Sequence, residues 1–230
     1  MTGQPQILNL FPLTIYKNDL DSKQYQDLFN GKLNSFDFTS SDDVLTGEIL
    51  GKSSIHHIEE FKPFYEEVAL NAREYLKILG VKENLFDVFV TKSWLSIIDK
   101  PDYHMRAHSH TVADISFVYY LQVPENADSI MFLNNSKQNE LFHDLFEDMR
   151  ERNFLSEYTV SNYNSFFVVP NEGMLLMFPG KQSHKTSANP SGELQQGKRI
   201  AVVGDINLYL KPGITGYESG RVSTDYMRKF

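Results

Sequence analysis

Hydrophobic positions along the first third of the chain predict a strand and two helices. Between about residues 60 and 79, apolar side chains recur at three- and four-residue steps, the spacing of an amphipathic helix. Pro63 lies in the first turn of this helix, where a missing N–H group costs little. Lys17–Asn30 is also predicted to be helical, after a short edge strand over Ile7–Tyr16 that Pro12 interrupts. The longer helix needs a sheet on which to bury its apolar face.

From about residue 85 onward the pattern changes to strands. β-Branched and aromatic residues form runs that are separated by clusters of Pro, Gly, Asn and Asp. Residues 137–152 instead carry apolar side chains at helical spacing and predict a helical insertion within the β core. The fold is therefore expected to be mainly β, a sandwich or barrel with flanking helices on one face. The predicted strands cover residues 86–99, 114–123, 129–133, 157–169, 174–178 and 199–210.

Length fits one domain. A chain of 230 residues buries enough surface for a single core, so we expect one domain over residues 1–230. Its N-terminal strand and helices would occupy about residues 7–80, and the β core about residues 86–210. The insertion helix and the edge strand near Leu10 are candidate contacts for a homodimer.

Composition narrows the available chemistry. The chain has no cysteine, which excludes a disulfide framework, a thiolate zinc site, an iron–sulfur cluster and a cysteine nucleophile. Any metal must bind to His, Asp, Glu or carbonyl oxygen. The net charge of −8 argues against a nucleic-acid partner, because phosphate binding needs clustered Lys and Arg. Neither a signal peptide nor a long apolar segment is visible, so we expect a soluble, cytoplasmic protein without a membrane partner.

Histidines are concentrated in the predicted β core. His108 and His110 are two residues apart, which on an extended chain places both imidazoles on one face. A third ligand must come from elsewhere in the sequence, and His184, in the loop after the strand Met174–Phe178, is the best candidate. Three ligands on one face with open positions suit a redox-active first-row metal such as Fe(II). The alternative is that these are ordinary loop or core histidines.

Short motifs flank these histidines in a fixed order. They are Leu10-Phe11-Pro12 and Ile15-Tyr16 near the start, then Ser93-Trp94, Tyr103, His108-x-His110, Ile115-Ser116 and Val118-Tyr119-Tyr120-Leu121, and finally Pro170, Gly173, Leu175-Leu176, Phe178-Pro179, His184, Asn189-Pro190 and Arg199. In this order and at this spacing they resemble a family of 2-oxoglutarate/Fe(II)-dependent oxygenases often found in phages and marine bacteria. The resemblance covers roughly residues 8–208, apart from the insertion.

The resemblance implies a double-stranded β-helix, a jelly-roll or cupin-like core in which two sheets face each other and hold a metal at their open end. It implies His108 as the first ligand of Fe(II) and His184 as the distal ligand. Arg199 would bind the far carboxylate of the co-substrate 2-oxoglutarate, a task that suits a guanidinium because it offers a charged fork of donors. The implied enzyme is a dioxygenase that uses molecular oxygen to hydroxylate an unidentified prime substrate.

Two positions depart from the wider superfamily. Position 110 is histidine where an acidic residue is usual, so either His110 binds the metal in a three-histidine site or Asp114 supplies the carboxylate. We favour His110, because Asp114 is expected to begin the next strand. Ala201 stands where many relatives have Ser or Thr, and Tyr119 or Tyr120 could supply the missing hydroxyl to 2-oxoglutarate.

Two other functions are compatible with these residues. One is a non-catalytic β-helix module that keeps a metal-binding pocket. The other is a cupin-type metalloenzyme that uses three histidines without 2-oxoglutarate. Arg199 separates the oxygenase from the second alternative, since only the oxygenase needs a cation for a second carboxylate. The sequence leaves the prime substrate open.

Overall fold

The computed structural model describes residues 8, 10–35, 37–41, 44–48, 54–100, 104–146, 154–212 and 228–230. The N-terminal part contains β1 (Tyr16–Asp19), α1 (Ser22–Asn30), β2 (Asp37–Ser41), β3 (Val44–Glu48) and α2 (Lys62–Ile78). The strands that follow are β4 (Phe86–Ile98), β5 (Ile115–Gln122), β6 (Ser129–Leu133), β7 (Ser165–Val168), β8 (Met174–Pro179), β9 (His184–Ser187), β10 (Arg199–Leu210) and β11 (Arg228–Lys229).

Local sequence explains where both helices begin and end. Asp21 caps α1, since its carboxylate accepts hydrogen bonds from the backbone N–H groups of Lys23 and Gln24 at 3.1 and 3.2 Å. Pro63 occupies the first turn of α2, and Gly80 follows its end with a φ of 76° that favours glycine. Among the described residues, no helix combines the length and apolar character needed to cross a membrane.

The strands form two antiparallel sheets. The larger sheet has the order β1-β8-β5-β10-β4-β3-β2, with β11 paired to β4, and the smaller sheet has the order β7-β6-β9. Strand β10 lies at the centre of the larger sheet and pairs with β4 and β5 over most of its length. Arg199, the first residue of β10, is thereby fixed opposite Ile98 at the end of β4.

The larger sheet is buried on both faces. On β5, Phe117 and Tyr119 point to one face, where they join α1 and α2 in the larger core. Val118 and Tyr120 point to the other face and pack with Phe132 of the smaller sheet. Two buried faces explain why these strands are nearly continuous apolar runs in the sequence. Residues that alternate along one strand therefore serve different cores.

The insertion is not helical in the part that the structure describes. Residues 137–146 form only turns and bends, and residues 147–153 lie outside the described part of the chain. Lys137 and Asp144 have φ values of 42° and 65°, and left-handed backbone of this kind interrupts a right-handed helix. The prediction of an insertion helix over residues 137–152 is therefore wrong for residues 137–146.

Four other predicted elements differ from the observed ones. The helix predicted over Lys17–Asn30 begins only at Ser22, because Tyr16–Asp19 forms β1. The N-terminal strand begins at Tyr16, which pairs with Met177, and not within residues 10–15. The strand predicted over residues 157–169 is confined to Ser165–Val168, because a turn forms where the amide of Asn162 bonds to the carbonyl of Thr159. His184 begins a strand and does not lie in a loop.

Candidate metal centre

Three histidines meet in a pocket between the two sheets. The backbones of His108 and His184 pair with each other through two N–H to O hydrogen bonds of 3.0 Å. The amide of His110 donates to the carbonyl of Gly180 at 2.7 Å. One ring nitrogen from each of the three histidines lies within 4.8 Å of the others. Residues that are far apart in sequence thus form one group with the spacing of a metal site.

Gly180 allows the segment after His110 to pack against β8. A Cβ atom at this position would lie 2.7 Å from the carbonyl oxygen of His110 and closer still to that of Ala113. Both neighbours are backbone atoms that cannot rotate away, so any side chain here would displace the segment that carries His110. Glycine is required by close approach at this position.

The three imidazoles are held in the same tautomer. Each Nδ1 atom faces an oxygen that can only accept a hydrogen bond, so each Nδ1 must carry the proton. The pairs are His108 with the carbonyl of Arg106 at 2.8 Å, His184 with the carbonyl of Gln182 at 3.0 Å, and His110 with the carboxylate of Asp205 at 2.5 Å. When neutral, each ring therefore presents the lone pair of Nε2, as a metal ligand must.

Burial also favours the neutral form of two of these rings, His108 and His184. Desolvation, with a smaller effect of the nearby His108 and His110, lowers the pKa of His184 to about 4. The pKa of His108 is lowered mainly by desolvation as well. Since only the neutral imidazole binds a metal, both rings are ready to act as ligands at neutral pH.

The same pocket contains one buried cation. Its empty space is about 490 Å³, including the opening to solvent. Arg199 is only 5% exposed, and its guanidinium donates to the carbonyl of Asp128 at 2.6 Å and lies 5.9 Å from the centre of the Tyr120 ring. Besides the three histidines, the lining residues are Trp94, Ser96, Met105, Val118, Tyr120, Ile130, Lys185, Thr186, Arg199, Ala201 and Val203.

Only one of the two predicted tyrosines lies at this pocket. Tyr120 lines the pocket, whereas Tyr119 packs against Tyr25 and Phe64 on the helix side of the sheet, with ring centres 5.8 and 5.1 Å away. The prediction that Tyr119 contributes to co-substrate binding is wrong, because neighbouring residues of a strand point to opposite faces. Ala201 lies opposite Ser96 and Tyr120 in the sheet, so other hydroxyl groups flank the position where one is missing.

Asp114 is held away from the histidines. Its carboxylate accepts a hydrogen bond from the backbone N–H of Leu208 at 2.7 Å, and it does not belong to the three-histidine group. His104, another histidine of this region, contacts the carboxylate of Asp128 at 3.2 Å. Tyr103 of the sequence motifs lies outside the described residues. The geometry therefore favours His110 over Asp114 as the third member of the site.

A family model described as "Putative 2OG-Fe(II) oxygenase", where 2OG is 2-oxoglutarate, matches residues 92–204. This segment contains the three histidines and Arg199. The core of this chain belongs to that family. No curated protein matches the sequence. The resemblance inferred from the motifs is thus confirmed at the level of the family.

Solved structures of oxygenases share the fold of this core. A 2OG-Fe(II) oxygenase family protein from Burkholderia pseudomallei has a TM-score of 0.53 at 9% identity, covering 80% of this chain and 77% of its own. The α-ketoglutarate-dependent epimerase SnoN of nogalamycin biosynthesis has a TM-score of 0.56 at 13% identity, covering 94% of this chain and 93% of its own. HygX from Streptomyces hygroscopicus has a TM-score of 0.52 at 14% identity, covering 84% of this chain and 82% of its own. The expected double-stranded β-helix is confirmed.

Asp205 is a site residue of this oxygenase core that sequence reasoning missed. It lies on β10 six residues after Arg199, and an even spacing along a strand keeps both side chains on the same face. This even spacing from Arg199 was the feature of the sequence that could have identified Asp205. Trp94 was part of a motif without an assigned role, and its ring stacks on His110 with centres 5.8 Å apart.

Proposed function

We propose that this protein is an Fe(II)- and 2-oxoglutarate-dependent oxygenase whose metal ligands are His108, His110 and His184. The observation that carries the proposal is the arrangement of three imidazoles in one pocket, each with Nδ1 bonded to an acceptor oxygen and with Nε2 left for a metal. Three ligands leave coordination positions open for a co-substrate and for oxygen. Molecular oxygen and a prime substrate are the partners that this activity requires.

The donor set fits iron. Imidazole nitrogen is a common ligand of non-haem iron, and the site offers no thiolate that would favour zinc or copper. Two relatives of the same fold support this choice, since HygX has been solved with nickel and 2-oxoglutarate and SnoN with Fe3+ and α-ketoglutarate. When bound, iron and 2-oxoglutarate supply oxidative chemistry in which the co-substrate becomes succinate and carbon dioxide while the prime substrate is oxygenated.

Arg199 would orient 2-oxoglutarate by binding its far carboxylate. A guanidinium buried in this pocket attracts a carboxylate more strongly than one in water, because the surrounding dielectric constant is low. The carbonyl of Asp128 holds the guanidinium in place, and the ring of Tyr120 lies beside it. The hydroxyl of Tyr120 takes the role that Ser or Thr at position 201 has in many relatives.

The apolar lining would protect the reaction from water. Val118, Ile130 and Val203 line the pocket beside the polar groups. Apolar side chains at these positions exclude solvent and leave the carboxylate of 2-oxoglutarate to its protein partners. Orientation and solvent exclusion are thus the tasks of the protein, and the oxidative step belongs to the cofactor.

Titration under anaerobic conditions tests the proposal. Adding Fe(II) and then 2-oxoglutarate to the protein should produce a visible charge-transfer band, which reports the co-substrate bound to the metal. His184→Ala should abolish Fe(II) binding and the band, since it removes one of three ligands. Absence of Fe(II) binding to the unaltered protein would overturn the proposal, and Fe(II) binding without 2-oxoglutarate binding would favour a three-histidine enzyme of another kind.

Arg199→Met tests the co-substrate site separately. This change removes the charge and keeps most of the aliphatic length. We expect 2-oxoglutarate to bind about 10- to 100-fold more weakly, the usual effect of losing hydrogen bonds to a charged group, with Fe(II) binding unchanged. Lys198→Met is the matched control, because Lys198 is the exposed neighbouring cation. Equal 2-oxoglutarate affinity in Arg199→Met and in the unaltered protein would refute the role of Arg199.

A further inference from the structure

One of the three histidines has a different kind of partner from the other two. The Nδ1 atoms of His108 and His184 bond to backbone carbonyls, whereas that of His110 lies 2.5 Å from a carboxylate oxygen of Asp205. A carbonyl orients a ring, but a carboxylate also brings a full negative charge. The site therefore contains an acidic group in contact with one of the proposed ligands, although position 110 itself is not acidic.

Asp205 is fixed in this position by its surroundings. It is only 4% exposed, and its oxygen that contacts His110 also accepts a hydrogen bond from Ser116 Oγ at 3.1 Å. Ser116 lies directly opposite Asp205 in the pairing of β5 with β10. Within the described part of the chain, no lysine or arginine forms an ion pair with Asp205. A buried carboxylate is costly without a positive partner, and a metal-bound imidazole would provide one.

We propose that Asp205 is a positioning residue that holds His110 with Nε2 free and supplies the negative charge that an acidic ligand would otherwise bring. This inference rests on the proposed metal site and adds a residue to it. A carboxylate that accepts from a ligating imidazole fixes the tautomer and makes the other nitrogen a stronger donor. Asp205 lies one residue beyond the segment that matches the family model, so it is not part of that match.

Asp205→Asn is the decisive variant, because it keeps the shape of the side chain and changes its hydrogen bonding. An amide can present its NH₂ group to Nδ1 of His110, which the carboxylate cannot do. The imidazole can then place its proton on Nε2, the atom that should bind the metal. Ser116→Ala is the matched control, since it removes the other hydrogen bond to the same oxygen and leaves the contact with His110 intact.

Two measurements on the full chain test the proposal. The first is the affinity for Co(II) in the absence of oxygen and 2-oxoglutarate, where Asp205→Asn should bind about 10- to 100-fold more weakly than the unaltered protein. Ser116→Ala should lose much less Co(II) affinity than Asp205→Asn. The second is ¹⁵N NMR of the metal-free protein, which reports the tautomer of each imidazole. His110 should carry its proton on Nδ1 in the unaltered protein and shift toward Nε2 in Asp205→Asn, while His108 and His184 do not change.

The possible results separate this proposal from the proposed function. Unchanged Co(II) affinity and tautomer in Asp205→Asn would overturn the role of Asp205 and leave the three-histidine site intact. A proton on Nε2 of His110 in the unaltered protein would overturn it without any variant. Failure of the unaltered protein to bind Co(II) would overturn the metal site and the role of Asp205 with it. Circular dichroism of each variant shows whether a lost affinity reflects unfolding.

Discussion

Tyr119 and Tyr120 are neighbours in sequence, but their hydroxyl groups have unrelated surroundings. Tyr120 lines the pocket beside Arg199, whereas Tyr119 is fully buried in the helix-side core. Among the described residues, the Tyr119 hydroxyl has no hydrogen-bond partner. Burial raises the pKa of Tyr119, which keeps its phenol neutral at all working pH values. The two hydroxyls should therefore contribute to different properties of the protein.

The corresponding phenylalanine variants should behave in opposite ways. Tyr119→Phe removes a buried hydroxyl that lacks a partner, so it should leave 2-oxoglutarate affinity unchanged and alter stability by no more than about 1 kcal/mol, in the stabilising direction. Tyr120→Phe should weaken 2-oxoglutarate binding about two- to tenfold, the value of one neutral hydrogen bond. Calorimetric titration and urea unfolding measure both effects. Weaker co-substrate binding in Tyr119→Phe would contradict the assignment of faces.

At the scale of single residues, the sequence identifies those whose chemistry stands out from the apolar strands around them. The His-x-His pair and a distant third histidine suggested a metal site, and the resemblance carried by the flanking motifs added Arg199; the structure brings these four groups to one pocket. Asp205 was missed because the role of a single acidic residue in the middle of an apolar strand depends on side chains that only the folded chain brings beside it. The role of Asp205 depends on its contacts with Ser116 and His110, which lie close to it only in the folded chain.

Among the elements, the turn between β8 and β9 positions two of the histidines. Gly180 lies in this turn, and its carbonyl accepts from His110 while the chain continues to His184. Any side chain at Gly180 would meet the backbone of the segment that carries His110. Movement of this segment would change the distance between His110 and His184.

Gly180→Ala should therefore weaken metal binding more than it weakens the fold. We expect Co(II) affinity to fall at least about tenfold, because a shift of a ligand by a fraction of an ångström disturbs the coordination geometry. Gly31→Ala is the control, since an added Cβ at Gly31 would meet only ordinary contacts at 3.6 Å or more. Co(II) titration at a temperature where both variants are folded measures the effect. Unchanged affinity in Gly180→Ala would show that the segment can move without affecting His110.

Helices and strands could be predicted from the sequence where their burial in the fold agrees with the local pattern of apolar residues. β6 and β10 have the bounds that the sequence predicts, residues 129–133 and 199–210, because each is a buried strand ended by polar or turn residues. The prediction of a helix in the insertion failed because helical spacing of apolar residues leads to a helix only when another surface buries those residues. Leu141, one of them, is 88% exposed. β2 and β3 were not predicted, since Asp37–Ser41 has a single apolar residue and Val44–Glu48 has two adjacent ones, so neither shows the alternation of a strand.

Considered as a whole, the molecule separates stability from chemistry on the two faces of one sheet. The helix-side core contains the buried faces of both helices and a cluster of aromatic rings in edge-to-face and tilted contact, with Phe64 fully buried among Tyr25, Phe29 and Tyr119. The core between the sheets is smaller, and two of its aromatic rings, Phe132 and Phe178, lie beside His184. Phe132 belongs to this second core and lies 6.4 Å from the ring of His184.

Two matched truncations test this separation. Phe64→Ala and Phe132→Ala each remove a buried aromatic ring, and each should lower the free energy of unfolding by about 3–5 kcal/mol. Only Phe132→Ala should also weaken Co(II) binding by the protein that remains folded, because the cavity it leaves lies beside Phe178 and His184. Phe64→Ala should retain the Co(II) affinity of the unaltered protein, since the whole thickness of the sheet lies between it and the ligands. Urea unfolding and Co(II) titration of both variants measure the two quantities independently. Equal losses of metal affinity in the two variants would mean that the larger sheet transmits packing changes from one face to the other.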